Sequence, residues 1–212
     1  MEGWVLEGIL DLAKKINHLH KTFGEEWITE ESVNLKTKRI EHICFEESFI
    51  DSSFYNYAMK YIQKVARFSV ENVYSIDSPY RLVSRTKSPD SIVAKIMYYR
   101  HEKSERGRVS INKCLNDLLG LRIFVSGFAH EENTKKLGEM LAKYSIKVHN
   151  SCKGEYRATH LYFQNKNNRL FPWELQIWNQ EDEEKNLASH AVHKQDYTTW
   201  PLTHVRSKIS GI

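Results

Sequence analysis

With the two-residue period of a strand, the runs 156–163 and 173–178 each divide their side chains between two faces that would meet different surroundings. In the first run Tyr156, His160 and Tyr162 share one face, with Arg157, Leu161 and Phe163 on the other. In the second, Glu174 and Gln176 lie opposite Trp173, Leu175 and Ile177. The link Asn165-Lys166-Asn167-Asn168-Arg169 is rich in turn formers, so the two runs are expected to pair as an antiparallel hairpin. Elsewhere the period is helical. Trp4, Ile9, Leu12, Ala13, Ile16 and His20 predict a helix over 4–20, and Phe54, Ala58, Tyr61, Ile62, Val65, Ala66 and Phe68 predict one over 52–74. Ser88-Pro89-Asp90 is a helix start, with a capping hydroxyl, a proline in the first turn and an acid at the positive end of the dipole, and it predicts a helix to about Arg100. A short helix over 111–119 closed by Gly120, a buried strand over 121–125, a helix over 131–144, a strand over 146–149 and a helix over 181–194 complete the pattern. Strands and helices interleave. The expected class is α+β, with a mixed sheet of about five strands flanked by helices over 76–212 and a helical extension over 1–75.

Composition narrows the picture without changing it. A chain of 212 residues, 41% hydrophobic, can bury one sizeable core. No apolar run is long enough to span a bilayer, and Met1-Glu2-Gly3-Trp4 lacks the basic-then-apolar pattern of a signal peptide, so a cytoplasmic protein without a membrane partner is expected. Cys44, Cys114 and Cys152 are widely spaced, which argues against a disulfide framework or a structural zinc site. His190 and His193 have helical spacing but no second ligand pair nearby. A net charge of +4 is compatible with polyphosphate or RNA and requires neither.

Three constellations point to phosphate chemistry. Arg85 and Lys87 lie just ahead of the Ser88 cap and Lys95 follows two turns later, so three cations would flank the unpaired amides of a helix start. Asp117 precedes Gly120 and Arg122 at a strand entrance, where an acid can hold a divalent metal and a guanidinium can reach a phosphate or stack on a base. Glu174 and Gln176 supply a second carboxylate and an amide. Two separated carboxylates among cations are the ingredients of Mg²⁺-assisted phosphoryl transfer. Each has an ordinary structural explanation, such as a glycine-capped helix end at Gly120.

In order, these motifs resemble the RelA/SpoT-type synthetases, the alarmone-making pyrophosphokinases. Ser84-Arg85-Thr86-Lys87 with Lys95, Asp117-Leu118-Leu119-Gly120-Leu121-Arg122, Tyr156-Arg157-Ala158-Thr159-His160, Glu174-Leu175-Gln176-Ile177, and His190 with Lys194 are similar to that family's five segments in sequence order. The resemblance implies a nucleotidyltransferase-like sheet that moves the β,γ-pyrophosphate of ATP to a ribose 3′-hydroxyl. It implies that Arg85, Lys87 and Lys95 hold the triphosphate and that Arg122 lies at the adenine side. Asp117 and Glu174 would carry Mg²⁺, with Glu174 able to take the hydroxyl proton. Tyr156, Arg157, His160, Gln176 and His190 would serve the acceptor and the chemistry.

The departures concern the acceptor. Ser151-Cys152-Lys153-Gly154-Glu155 stands where the family carries proline-lysine and asparagine-glycine pairs, and Trp178-Asn179 stands where it carries arginine and threonine. Fewer cations for a nucleotide's own 5′ phosphates weaken the case for GDP or GTP. With no hydrolase segment ahead of the motifs, the chain is closest in character to the toxic small synthetases, whose acceptor is the 3′ end of tRNA. That resemblance implies a toxin that inhibits translation and a protein antitoxin as partner. Lys36, Lys38 and Arg39, with Lys103, Arg106 and Arg108, would grip the acceptor stem in a salt-dependent manner. The alternatives are a guanosine-nucleotide acceptor and a non-catalytic RNA-binding regulatory module. The latter predicts loss of the metal carboxylates, and both are present.

Overall fold

In a computed structural model of the chain, the described residues are 2–27, 33–45 and 49–198. Helix α1 (Glu2–Glu26) leads to a two-stranded hairpin, β1 (Cys44–Phe45) and β2 (Phe49–Ile50), and then to α2 (Ser52–Phe68). Strand β3 (Leu82–Thr86), α3 (Pro89–His101), the single turn α4 (Ile111–Cys114) and β4 (Leu119–Val125) follow. The chain continues through α5 (His130–Leu141), β5 (Ile146–Asn150), β6 (Thr159–Phe163), β7 (Trp173–Asn179) and α6 (Glu183–Thr198).

The main sheet has five strands in the order β3-β4-β7-β6-β5. Strand β7 pairs parallel with β4 and antiparallel with β6, so the expected hairpin is present and the sheet is mixed. The α+β expectation and the count of about five strands hold. The register sets Arg85 opposite Gly120, Gly120 opposite Glu174, and Glu174 opposite Tyr162. One residue pair further along, Arg122, Gln176 and His160 stand side by side.

The opposite face supplies the core. Leu119, Leu121, Ile123, Leu161, Phe163, Trp173, Leu175 and Ile177 are buried in one apolar cluster with Ile9, Leu12, Ile16 and Phe23 of α1, Tyr61, Val65 and Phe68 of α2, and Leu137 and Leu141 of α5. The helices of the first 75 residues therefore pack in the same cluster as the sheet. The indole of Trp173 donates to the Tyr61 hydroxyl at 3.1 Å, and that hydroxyl donates to the Phe171 carbonyl at 3.1 Å, so these bulky amphipathic rings are buried with their polar atoms satisfied.

Element ends differ from the sequence reading for identifiable reasons. Helix α1 runs past His20 because Phe23 continues its buried stripe. Helix α2 starts on Asp51, whose carboxylate accepts from the Ser53 amide at 2.8 Å, and passes at Ser69–Val73 into a π-helical turn. The Ser88 hydroxyl accepts from the Ser91 amide at 3.3 Å, as its position predicted. Gly120 is not a helix cap. The helical turn stops at Cys114, and the Lys87 amide donates to the Leu118 carbonyl at 3.0 Å, extending the β3–β4 ladder so that Gly120 lies inside β4. Strand β3 was not foreseen at all.

One buried histidine ties α1 to the β6–β7 turn. His20 Nδ1 accepts from the Asn165 amide at 3.0 Å, which leaves Nε2–H to donate to the Phe171 carbonyl at 3.2 Å. Asn165 itself has φ of 47°, a left-handed conformation that asparagine tolerates better than most residues. Burial, opposed by the Phe171 carbonyl, lowers His20 to about 4. A folded-state value below the unfolded one means stability that is complete above about pH 6.5 and is lost as pH falls toward 4, amounting to about 3 kcal/mol at most. Urea unfolding at pH 7 and pH 4.5 should show this loss, and a His20→Gln variant should lose measurably less over the same interval.

Candidate active site

The polar face of the sheet carries two neighbouring clusters, near enough for the charge of Asp117 to oppose that of Glu174. The first is built where β3 runs into α3. Lys87, at the end of β3, and Lys95, two turns into α3, both reach Asp117 in the loop before β4. Their ammonium groups lie 2.6 and 3.0 Å from its two carboxylate oxygens, and Lys95 also donates to the Asn116 side chain at 3.3 Å. All three groups are largely buried. Burial opposes the charge on Asp117, but the two ammonium groups outweigh it and hold the carboxyl well below the usual range. The same carboxylate raises Lys95 against its burial, whereas burial with Lys95 and Arg85 nearby lowers Lys87. Two cations on one carboxylate leave an uncompensated positive charge, which suits a polyanion. Arg85 is exposed and lies across Gly120, whose missing side chain keeps that part of the sheet low.

The second cluster is a chain of hydrogen bonds directed at Glu174. Trp178 Nε1 donates to the Tyr156 hydroxyl at 3.2 Å, and that hydroxyl lies 2.9 Å from His160 Nε2. An ionised carboxylate can only accept, so His160 Nδ1 carries the hydrogen that faces Glu174 Oε1 at 3.0 Å. On the other side Arg122 donates through Nε and Nη2 to Gln176 Oε1 at 3.1 and 2.9 Å, and Gln176 Nε2 donates to Glu174 Oε2 at 2.8 Å. The Tyr162 hydroxyl lies 3.3 Å from His160 Nδ1. Burial would raise Glu174, but His160 and Gln176 stabilise its anion, and the net displacement is downward. Burial pushes the Tyr156 phenol up to about 12 and lowers the Arg122 guanidinium to about 10, so at neutral pH the first is an O–H and the second a cation.

Most residues expected at a site are thus on one face. Arg157 is exposed; its Nη1 donates to the Gly154 and Tyr156 carbonyls at 2.5 and 3.1 Å, and its backbone is bracketed by the Asn186 amide. His190 lies within α6, but its side chain, like those of His193 and Lys194, is outside the described residues. Tyr156 also precedes β6 rather than belonging to it, and a Lys153–Tyr156 bridge holds its loop. Sequence reasoning missed Trp178 and did not count Tyr162 among the site residues. Both were legible, because strict alternation already put them on the Glu174 face.

Asp117 and Glu174 are hard oxygen donors held as anions, and among the described residues no group of three or more His, Cys, Asp or Glu side chains gathers. Carboxylates are a donor type that magnesium takes beside substrate phosphates, and here each of the four oxygens faces an ammonium or an N–H of the protein.

The two basic stretches form one surface. Arg39 bridges Ser110, Ile40 N donates to the Val109 carbonyl at 3.1 Å, Glu41 N to Gly107 at 2.9 Å, and Ile111 N to Lys38 at 3.0 Å. Lys36 and Arg39 are exposed there, Arg39 beside Glu41 at 3.3 Å, and Lys103 lies 5.4 Å from the Tyr98 ring centre. Arg106, at φ 45°, gives its carbonyl to Arg100, and Arg108 donates to the Glu105 carbonyl.

No family model matches the chain, and no curated protein does. Among solved structures it is similar to small alarmone synthetase 1 from Bacillus subtilis, at 18% identity and a TM-score of 0.39 over 76% of this chain and 100% of that one. The same enzyme bound to AMPCPP gives 16% and 0.37 over 76% and 100%. Small alarmone synthetase 2 from Bacillus subtilis gives 21% and 0.35 over 72% and 79%. These structural neighbours are small alarmone synthetases. At such identities and scores, the functional case stands on the site's own side chains.

Proposed function

We propose that this protein transfers the β,γ-pyrophosphate of ATP to a ribose 3′-hydroxyl, and that the acceptor is the 3′ end of tRNA. The observation that carries the reaction type is Asp117 bridging Lys87 and Lys95 on the sheet face where Glu174 is ringed by donors. Lys87, Lys95 and Arg85 would bind the triphosphate, with Arg122 beside the adenine. The acceptor oxygen attacks the β-phosphorus, the bond between that phosphorus and its bridge to the α-phosphate breaks, and AMP leaves with the bridging oxygen. Mg²⁺, held by Asp117 and Glu174, would neutralise phosphate charge and orient the donor. A phosphoryl group in flight makes little demand for early deprotonation, so a carboxylate held low serves as hydrogen-bond acceptor first and takes the hydroxyl proton late. Tyr156 and His160 would orient the acceptor nucleoside.

The joined basic surface supports RNA as the acceptor. Lys95 and Arg100 are five residues apart on α3, about 8 Å at helical rise, and the Tyr99 carbonyl accepts from the Gly107 amide. The cations thus begin close to where the triphosphate would sit, a distance suited to an acceptor stem whose terminus enters the site. Such a product cannot be aminoacylated, so the reading implies a toxin of translation controlled by a protein antitoxin.

Incubation with γ-labelled ATP and deacylated tRNA, GDP, GTP or ATP tests this. Label should move to tRNA, and the rate at limiting tRNA should fall steeply between about 50 and 200 mM salt. Label moving to GDP or GTP and never to tRNA would replace the acceptor and keep the chemistry. No movement to any acceptor, with tRNA still bound, would favour the non-catalytic RNA-binding reading.

A further inference from the structure

Trp178 is fully buried on the sheet face that also carries Glu174 and Gln176. Two neighbours use it in different ways. The guanidinium of Arg122 lies flat on its ring, 3.4 Å from the centroid, and the ring edge is packed by Phe124 at 6.0 Å. Its N–H meets the Tyr156 hydroxyl at 3.2 Å, with the two rings nearly perpendicular at 86°. One indole therefore touches the cation assigned to the donor side and the phenol assigned to the acceptor side. The same hydroxyl lies 2.9 Å from His160 Nε2, and His160 Nδ1 faces Glu174 Oε1 at 3.0 Å, so the indole stands at the outer end of a chain of contacts that reaches Glu174.

We infer that Trp178 is a positioning residue for both substrates: its ring is the platform on which Arg122 is held, and its N–H anchors the Tyr156 hydroxyl. This rests on the pyrophosphate-transfer reading for its kinetic consequences, but the anchoring of the Tyr156 phenol does not. A plain core-filling role predicts something different. Phe124, Ala158 and Tyr156 form a small apolar cluster with Trp178, and filling it requires a large ring but no N–H.

The two functions separate by substitution. Trp178→Phe keeps a ring under Arg122 and removes the donor, whereas Trp178→Leu removes both. In Trp178→Phe the KM for the acceptor should rise about fivefold to tenfold, the effect of one lost neutral hydrogen bond, while AMPCPP affinity stays within twofold of wild type. In Trp178→Leu both should weaken. Proton NMR of the Trp178 indole N–H reads the bond without turnover: Tyr156→Phe should move that resonance upfield. Tyr156→Phe should also raise the acceptor KM at least as much, with Trp178→Phe adding nothing further in that background. An indole N–H unmoved by Tyr156→Phe, or equal changes in acceptor KM and AMPCPP affinity in Trp178→Phe, would overturn the inference. Should Trp178→Leu fail to fold, the two phenylalanine variants still decide it. A wild type whose indole N–H responds to Tyr156→Phe but which transfers pyrophosphate to nothing would sink the proposed function and leave the anchoring of Tyr156 intact.

Discussion

Asp117→Asn is expected to abolish pyrophosphate transfer and, in the same protein, to lower stability by about 3–5 kcal/mol, the usual cost of removing one member of a buried ion pair. Both consequences come from one geometry. Lys87 and Lys95 approach opposite oxygens of a single carboxylate at 2.6 and 3.0 Å. An asparagine in that place can accept from one ammonium, but its NH₂ confronts the other, so a cation is left buried beside a donor. Catalysis falls because the group expected to help hold magnesium has lost its charge, a loss of about 10²-fold or more for a preorganised electrostatic contact of this kind. Steady-state turnover and denaturant titration together check the prediction. A variant unfolding at the wild-type midpoint would show that the carboxylate does not tie α3 to the entrance of β4.

Glu174→Gln is expected to behave differently. Turnover should drop by about 10²- to 10⁴-fold while AMPCPP binding and the fold persist. The amide has the size of the carboxylate, but His160 and Gln176 each bond to a different oxygen of this one group, and a glutamine presents one acceptor oxygen where the carboxylate has two. The downward displacement of Glu174 has a second consequence for the wild type. The group is ionised above its folded value and becomes protonated below it, so the acid limb of the pH–rate profile assigned to it should fall below about 4.3, the ordinary glutamate value. An acid limb near 6 would require Glu174 to be neutral in the working enzyme and would contradict the donor ring around it.

The face-by-face arrangement of β6 and β7 could be read from the chain because a period of two leaves few choices: Glu174 and Gln176 on one side and Leu175 and Ile177 on the other is the observed arrangement. Strand β3 could not be read in the same way. Leu82–Thr86 is a short edge strand with Ser84 and Arg85 inside it, and its extended form follows from pairing with β4 rather than from local preference. Gly120 misled for a related reason, since a glycine after an apolar run is a sound cap signal until a long-range ladder claims the segment. The site shows the same division. Which residues are polar and which face they share was visible; that both lysines converge on Asp117 was not, because residues 22 and 30 positions apart meet only through the β3–α3 and β4 geometry. Trp178 was read as a missing arginine, and the gain that replaced it, a hydrogen bond and a stacking surface, needs neighbours from β4 and the loop ahead of β6 to be seen.

The order of the strands along the chain also constrains how the molecule can be made. Strand β7 is the last of the five in sequence and the middle one in space, inserted between β4 and β6. Until Trp173–Asn179 has left the ribosome, β4 and β6 each present an unsatisfied edge, and Arg122 and His160 have no strand between them. Biogenesis therefore includes a late insertion step that closes the sheet and brings Glu174 and Gln176 between Arg122 and His160, so a nascent chain stalled before residue 173 would be inert and, with two open edges, prone to aggregate.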